Sequence, residues 1–152
     1  MKQLFIMRGL PGSGKSTIAQ LLLDGLHHRP SDGTRVGPAT RLLSADDLRI
    51  VDGVYQFLPD LEPYLWEEFE RLFHEAIKEQ VESIIIDNTN LRPLHYEMYK
   101  QEAIEAGYIV HEIIVGDFDV EACFKRTIHE VPIDKIEDMK KAFRFPYERG
   151  MI

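Results

Sequence analysis

The sequence has little cysteine and no long hydrophobic run. Cys123 is the only thiol among 152 residues, so an internal disulfide is excluded and no Cys/His zinc spacing exists. The apolar runs, such as Leu4–Met7 and Ile84–Ile86, are far shorter than the roughly 18 residues that a membrane-spanning helix requires. We therefore expect no membrane association and no disulfide-linked partner.

A secretory signal and a disordered tract are also missing. Met1-Lys2-Gln3 leads directly into a strand-like segment, which is not the pattern of a signal peptide. Hydrophobic residues make up 44% of the chain and charged residues 29%, as is typical of a soluble globular protein. We expect one domain spanning residues 1–152 in the reducing cytoplasm.

Basic residues are fewer than acidic ones, 18 against 26, which gives a net charge of −8. Such a charge disfavours binding to a phosphate backbone. However, residues 60–106 contain four of the basic and twelve of the acidic residues, and we expect this acidity on the outer faces of helices. The segments that carry the motifs below are near neutral, so the sequence predicts at most a short contact with nucleic acid.

One motif binds phosphate by a known mechanism. Gly9-Leu10-Pro11-Gly12-Ser13-Gly14-Lys15-Ser16 satisfies G-x-x-x-x-G-K-[ST], and it lies between a predicted strand and a predicted helix, as a P-loop requires. We expect Lys15 to reach the β- and γ-phosphates and the Ser16 hydroxyl to bind Mg²⁺. No Asn-Lys-x-Asp motif selects guanine, so ATP is favoured over GTP. The residues predicted to contact the ATP phosphates are Gly9, Gly12, Ser13, Gly14, Lys15, Ser16 and Thr17.

Two other strands are predicted to end in acidic residues. Asp87 closes the apolar segment Ser83–Ile86 and is the candidate second ligand of Mg²⁺. Asp46 and Asp47 follow the short strand Leu42–Ser44, where a carboxylate can accept the proton of an attacking hydroxyl. Each of these aspartates has an alternative interpretation as a residue that caps a helix or turn.

Hydrophobic periodicity predicts alternating strands and helices. A strand at Lys2–Arg8 precedes a helix from Ser16 to about His28, and residues 29–39 are predicted to form a loop. Pro93 is expected to open a helix that Gly107 closes, and Asp119 is expected to cap another that ends near Thr127. The pattern favours an α/β fold with a parallel sheet and helices on both of its faces.

Four segments together resemble a known family. They are Gly9–Ser16, Ser44–Arg49, Ile86–Pro93 and the stretch from Lys125-Arg126 to Val131-Pro132-Ile133-Asp134, and they occur in the order seen in phage-type polynucleotide 5′-kinases and small predicted ATP-binding kinases. The resemblance covers nearly the whole chain. It implies a P-loop NTPase fold of the nucleoside-kinase-like type, with a parallel sheet of about four or five strands.

The resemblance also implies roles for single residues. Asp46 corresponds to the general base, Arg49 to a contact with a nucleic-acid phosphate, and Arg126 to a lid arginine on the ATP phosphates. Lys15, Asp46 and Arg126 are thus the candidate catalytic residues, and Asp47, Arg49 and Thr89 are the candidate acceptor-binding residues. The family's strand-end aspartate aligns with Asp87 or with Asn88.

The leading hypothesis is an ATP- and Mg²⁺-dependent kinase that phosphorylates the 5′-hydroxyl of DNA or RNA. The first alternative is a small-molecule kinase that acts on a nucleoside, a sugar or a sugar acid. The second is a non-catalytic ATP-binding regulatory module. The presence of Asp46 favours an enzyme, because a regulatory module has no need of a base on the acceptor side.

Overall fold

The protein is described by a computed structural model that covers residues 1–26 and 40–146. Six strands and six α-helices are present in these two ranges, together with short 3₁₀ helices at Pro59–Leu61 and Pro93–His95. In chain order the strands and α-helices are β1 (Gln3–Arg8), α1 (Lys15–Leu26), β2 (Arg41–Leu43), α2 (Ala45–Leu48), β3 (Ile50–Val51), β4 (Val54–Tyr55), α3 (Glu62–Lys78), β5 (Ser83–Asp87), α4 (Glu97–Glu105), β6 (Ile109–Ile114), α5 (Val120–Arg126) and α6 (Ile133–Ala142).

The main sheet has four parallel strands in the order β2-β5-β1-β6. The P-loop strand β1 is therefore central, with Gln3 paired to Ser83 of β5 on one side and to Ile109 of β6 on the other. Every residue of β5 and most residues of β1 are buried, as the continuous apolar segments predict for a parallel sheet. The predicted α/β fold is confirmed, with four strands.

Helices cover both faces of this sheet, as expected from the sequence. Side chains alternate between the faces of a strand, and in β1 Leu4 and Ile6 pack in one cluster with Phe69 and Phe73 of α3. Phe5 and Met7 belong instead to the cluster on the other face that α1 contributes to through Ala19. The hydrophobic core is thus divided into two layers by the sheet.

The carboxyl ends of the four parallel strands meet at one edge of the sheet. The P-loop follows β1, helix α2 follows β2, and β5 ends at Asp87 itself. The strands β3 and β4 form a separate antiparallel hairpin next along the chain from α2, and Asp52 and Gly53 turn it with positive φ angles of 51° and 77°. Ligand sites of open α/β sheets lie at this edge.

The predicted helix from Pro93 is interrupted in the structure. Pro93–His95 form a 3₁₀ turn, and α4 begins only at Glu97, because Tyr96 has non-helical backbone angles of φ −137° and ψ −6°. The buried Tyr96 ring packs on Arg8, 5.0 Å from its guanidinium carbon. Gly107 ends the helix with φ +86°, as predicted.

Other sequence expectations are confirmed or lie beyond the described residues. Asp119 caps α5, since its side chain accepts a hydrogen bond from the Ala122 amide at 3.1 Å. Across 1–26 and 40–146, none of the helices has the length and apolar character needed to cross a membrane. The predicted helix end at His28 and the predicted loop over 29–39 lie outside the described residues.

Candidate active site

The P-loop forms an open turn at the start of α1. Gly14 has φ +95°, and a Cβ built there has no atom within 4 Å, so the turn leaves room beside its backbone. The helix begins at Lys15, and the first backbone N–H groups of a helix lack partners within it. The Ser13 amide differs, because it donates to the Leu10 carbonyl at 3.1 Å. The loop is therefore shaped to receive an anion at the helix N-terminus.

Two glycines of the loop are required by neighbouring backbone. A Cβ on Gly12 would lie 2.1 Å from the Cys123 carbonyl oxygen of α5, and Gly12 itself has φ +75°. A Cβ on Gly9 would lie 2.7 Å from the Val115 carbonyl oxygen. Helix α5 thus packs directly on the P-loop, a contact that only residues without a side chain permit.

Lys15 and Asp87 lie together beneath the loop. Lys15 Nζ is 3.8 Å from Asp87 Oδ1, and both side chains are at least nine-tenths buried. Asp87 Oδ1 has no hydrogen-bond partner in the described chain, which is costly for a buried carboxylate oxygen. A buried carboxylate oxygen that lacks a hydrogen bond at the foot of the P-loop fits a cation site of the kind in which phosphates and water supply the other ligands. No group of three or more His, Cys, Asp or Glu residues within 1–26 and 40–146 forms a metal site by itself.

The neighbouring Asn88 has a structural role at the start of α2. Its side-chain oxygen accepts a hydrogen bond from the Ala45 amide at 2.9 Å and so satisfies the first amide of α2. Asn88 thereby ties β5 to the start of α2. Of the two aligned alternatives, Asp87 is the residue whose carboxylate lies beside Lys15.

Asp46 lies on α2 among three polar side chains from three different segments. Its Oδ1 accepts hydrogen bonds from Arg49 at 2.8 Å and from the Tyr55 hydroxyl at 3.2 Å. Its Oδ2 is 3.9 Å from Nε2 of His129. The His129 ring in turn stacks on Tyr55, with centroids 4.0 Å apart and planes inclined by 12°. The short segment after α5 therefore reaches across to the hairpin over Asp46.

Arg49 is already engaged by two carboxylates. Nε and Nη2 donate to the two oxygens of Glu62, each at 2.8 Å, and Nη1 donates to Asp46 at 2.8 Å. Hydrogen bonding to Glu62 is the main reason that the pKa of Arg49 is raised, and the same bond lowers the pKa of Glu62. The expectation that the acidity of residues 60–106 lies on outer faces is wrong for Glu62, because it comes from α3 to neutralise Arg49.

Asp47 lies close enough to the other two aspartates to be affected by their charge. Burial is the largest cause of its raised pKa, followed by repulsion from Asp87 and from Asp46. Because β5 ends at Asp87 and α2, with Asp46 and Asp47, directly follows β2, these carboxylates lie at the same edge of the sheet. A bound cation would relieve this repulsion.

Replacing Asp47 with asparagine should stabilise the fold. A pKa raised above the ordinary value of 3.8 means that folding opposes ionisation of Asp47, so the penalty develops as pH rises above that value and is complete above the folded pKa. Asp47→Asn should therefore increase the free energy of unfolding at pH 7 by up to about 1 kcal/mol, since Asp47 is exposed and partly screened. The gain should shrink toward pH 4. Urea unfolding at both pH values measures it, and an equal gain from the exposed Asp60→Asn would contradict it.

Arg126 ends α5 and lies against the P-loop. Its Nε donates to the Gly12 carbonyl at 2.9 Å, and Nη2 donates to Asp117 at 2.6 Å. The hydrogen bond to Asp117 is the main reason that the pKa of Arg126 is raised. Half of the Arg126 side chain is exposed, so the guanidinium lies at the surface of the loop where an anion would bind.

Thr89 contacts the P-loop through its backbone. Its carbonyl accepts a hydrogen bond from the Gly9 amide at 3.0 Å, and the following Asn90 donates from its side chain to the Met7 carbonyl at 2.8 Å. These bonds fix the segment after β5 against the end of β1. The Thr89 backbone thus positions the P-loop, and the predicted contact between Thr89 and the acceptor stays a prediction.

Sequence reasoning missed four residues of this site: Tyr55, Glu62, Asn88 as a helix cap, and His129. Asn88 directly follows a predicted strand end, and this position could have indicated that it belongs to the site. Tyr55, Glu62 and His129 had none, because each reaches Asp46 or Arg49 only through tertiary packing.

Comparison with known proteins agrees with this geometry. A family model described as AAA domain matches residues 4–146. Human NEDD4-binding protein 2 is 33% identical over 150 residues, which cover 93% of this chain and 8% of that protein. The chain spans only 8% to 18% of the length of the curated relatives it matches.

Two solved structures have the same fold. In the Pnkp1/Rnl/Hen1 RNA repair complex, a chain aligns with a TM-score of 0.64 and 20% identity, over 93% of this chain and 43% of that one. A gluconokinase from Sinorhizobium meliloti 1021 aligns with a TM-score of 0.57 and 16% identity, over 98% of this chain and 79% of that one. At these identities the likeness establishes a P-loop kinase fold and nothing finer.

Proposed function

We propose that this chain, which belongs to the AAA domain family, is an ATP- and Mg²⁺-dependent kinase that phosphorylates the 5′-hydroxyl of DNA or RNA. One observation carries the proposal. Asp46 lies on α2, whose first amide is bonded to Asn88, the residue after Asp87, and Asp87 lies 3.8 Å from Lys15 of the P-loop. A phosphate-binding loop and an acceptor-side base are thus adjacent.

The P-loop residues hold the triphosphate in this proposal. Backbone amides of Gly12 and of Gly14 to Thr17 surround the phosphate oxygens at the helix N-terminus, and Lys15 lies along the β- and γ-phosphates. Ser16 and Asp87 are the residues that would hold the metal. Magnesium, when bound, offsets the negative charge of the β- and γ-phosphate oxygens during transfer.

Asp46 removes the proton from the acceptor hydroxyl. The hydroxyl oxygen attacks the γ-phosphorus, the bond from that phosphorus to the bridging β–γ oxygen breaks, and ADP leaves with that electron pair. Because Asp46 Oδ1 is held by Arg49 and Tyr55, Oδ2 is the oxygen that accepts the proton. Arg126 exchanges its bond to the Gly12 carbonyl for the transferring phosphoryl group and stabilises its charge.

The nucleic-acid acceptor is supported by two likenesses. The four motifs resemble polynucleotide 5′-kinases, and a structural neighbour is part of an RNA repair complex.

A reducing cytoplasmic location fits the buried thiol of Cys123, which donates to the Asp117 carbonyl at 3.1 Å.

A small-molecule acceptor is the second candidate, and a specific observation favours it. Glu62 and Asp46 are both paired with Arg49, so the arginine predicted to contact a nucleic-acid phosphate is already engaged by two carboxylates. One structural neighbour with the same fold is a gluconokinase, a name that denotes a small-molecule acceptor. A neutral acceptor would avoid the acidic surroundings of Asp46.

Transfer of label from γ-labelled ATP distinguishes these candidates. We expect labelling of 5′-hydroxyl oligonucleotides by the wild type and its loss, by at least about 10³-fold, in Lys15→Ala, because Lys15 stabilises the transferring charge. The exposed Lys140→Ala is the matched control and should retain activity. Labelling of nucleosides, sugars or sugar acids without oligonucleotides would establish the small-molecule kinase instead. Tight ATP binding with no labelled acceptor would indicate the regulatory module.

A further inference from the structure

A cleft of about 250 Å³ adjoins the acceptor side of the site. It lies between the β3–β4 hairpin, the 3₁₀ turn Pro59–Leu61 and the first turn of α3. Arg49 and Glu62 line it together with apolar side chains, so it shares a wall with the surroundings of Asp46. The apolar residues that line the cleft are Leu48, Val51, Leu58, Leu61, Tyr64 and Leu65.

Several of these apolar side chains are exposed. Leu58, Leu61 and Tyr64 are 45%, 53% and 68% exposed respectively. Exposed apolar surface gains free energy when a ligand covers it, roughly 25 cal/mol per Å². Apolar walls with a few polar groups are the usual composition of a small-molecule site.

The polar part of the cleft consists of the Arg49–Glu62 ion pair and Gln56. Arg49 directs the N–H donors of Nε, Nη1 and Nη2 at its two carboxylates, and its guanidinium also forms a hydrogen bond with the Tyr55 side chain; a guanidinium has five N–H donors in all. The Glu62 carboxylate retains acceptor capacity beside them. Both side chains are more than four-fifths buried, so the cleft offers donors and acceptors in one rigid, electrically neutral pair.

This combination suits a nucleobase better than a phosphate. A base has flat apolar faces and an edge that carries both donors and acceptors, which match the apolar walls and the ion pair. A phosphate offers acceptors only, and it would be repelled by Asp46, Asp47 and Glu62. Trp66 and Phe57 flank the same guanidinium, with centroids 5.9 Å and 5.7 Å from its central carbon.

We propose that this cleft binds the base of the 5′-terminal nucleoside of the acceptor. The proposal rests on the proposed function, since it takes the 5′-hydroxyl to lie at Asp46. The Arg49 guanidinium contacts both Glu62 in the cleft and Asp46 at the reacting hydroxyl. The distance from the cleft to Asp46 is therefore one that a single sugar ring can span. Binding of the base then fixes the position of the nucleoside. Because Glu62 is already paired with Arg49, the cleft recognises the base through hydrogen bonds and does not form an ion pair with a phosphate.

Binding is tested through Trp66, the only tryptophan of the chain. With the P-loop saturated by a non-hydrolysable ATP analogue, a 5′-hydroxyl dinucleotide should change the Trp66 fluorescence, and a dinucleotide without its 5′-terminal base should not. Leu61→Asp, which introduces a charge into the cleft wall at an exposed position just before α3, should remove the response. Leu94→Asp, at an exposed position in the other 3₁₀ turn, should retain it.

Kinetics supply the second readout. Removal of the terminal base should lower kcat/KM by about tenfold or more in the wild type, as expected for loss of base stacking, and should have little effect in Leu61→Asp. Equal Trp66 responses to both dinucleotides, or a response in Leu61→Asp like that of the wild type, would overturn the proposal. A base-dependent response without phosphoryl transfer would retain the cleft as a base site and reject the kinase function.

Discussion

Asp46→Asn should reduce phosphoryl transfer by about 10²–10⁴-fold, the range that general-base catalysis contributes. Asparagine has the shape of aspartate, so its side-chain oxygen still accepts hydrogen bonds from Arg49 and Tyr55 at the position of Oδ1. The change replaces the opposite oxygen, Oδ2, with an amide that cannot take up a proton. The measurement is the single-turnover rate with saturating ATP and acceptor.

Two further variants test whether the loss of rate is specific to Asp46. Asp138→Asn, on the exposed face of α6, should leave the rate unchanged. Asp47→Asn tests the adjacent carboxylate, a candidate acceptor-binding residue, and should retain a substantially higher rate than Asp46→Asn, because Asp47 does not take up the proton in the proposed mechanism. The base assignment fails if Asp46→Asn retains the rate within a few-fold while ATP binding, measured by calorimetry, is normal.

Arg8→Met should destabilise the protein by about 3–5 kcal/mol, the typical cost of breaking a buried charged interaction. Arg8 is fully buried at the end of β1. It donates to the carbonyls of Asn90, Leu91 and Arg144 at 2.9, 3.2 and 2.6 Å. Methionine fills similar space but leaves those buried carbonyls without their donor.

Equilibrium urea unfolding measures this loss. Arg71→Met is the control, because Arg71 makes its two ion pairs on the exposed face of α3 and such pairs contribute at most about 1 kcal/mol. Arg8→Lys retains the charge with fewer donors and should fall between the two. A loss for Arg8→Met no larger than that for Arg71→Met would contradict the buried role.

Arg8 also shows why part of the structure was beyond sequence reasoning. Its position at the end of an apolar strand indicates burial, but its partners lie 82 to 136 residues away. Its ring contacts to Tyr96 and Phe143 come from two further segments. No local pattern specifies such a meeting, since it depends on how the segment after β5 and the C-terminal segment pack together.

Local rules predicted most of the elements well. The strand before the P-loop, the Asp119 cap and the Gly107 helix end all follow from short-range backbone preferences. The helix at Pro93 was predicted too long, because burial of Tyr96 against Arg8 imposes a backbone conformation that ends the 3₁₀ turn. Tertiary packing there overrides local preference.

The sequence by itself determined the parallel α/β architecture and the P-loop, because periodicity and glycine spacing act within a few residues along the chain. Strand ends also predicted that acidic side chains would share one edge, and Asp47 and Asp87 do so. Only the tertiary structure decided the state of Arg49. Glu62 and Tyr55 approach Asp46 and Arg49 through the packing of α3 and the hairpin, so the arginine predicted to contact a phosphate is held by two carboxylates.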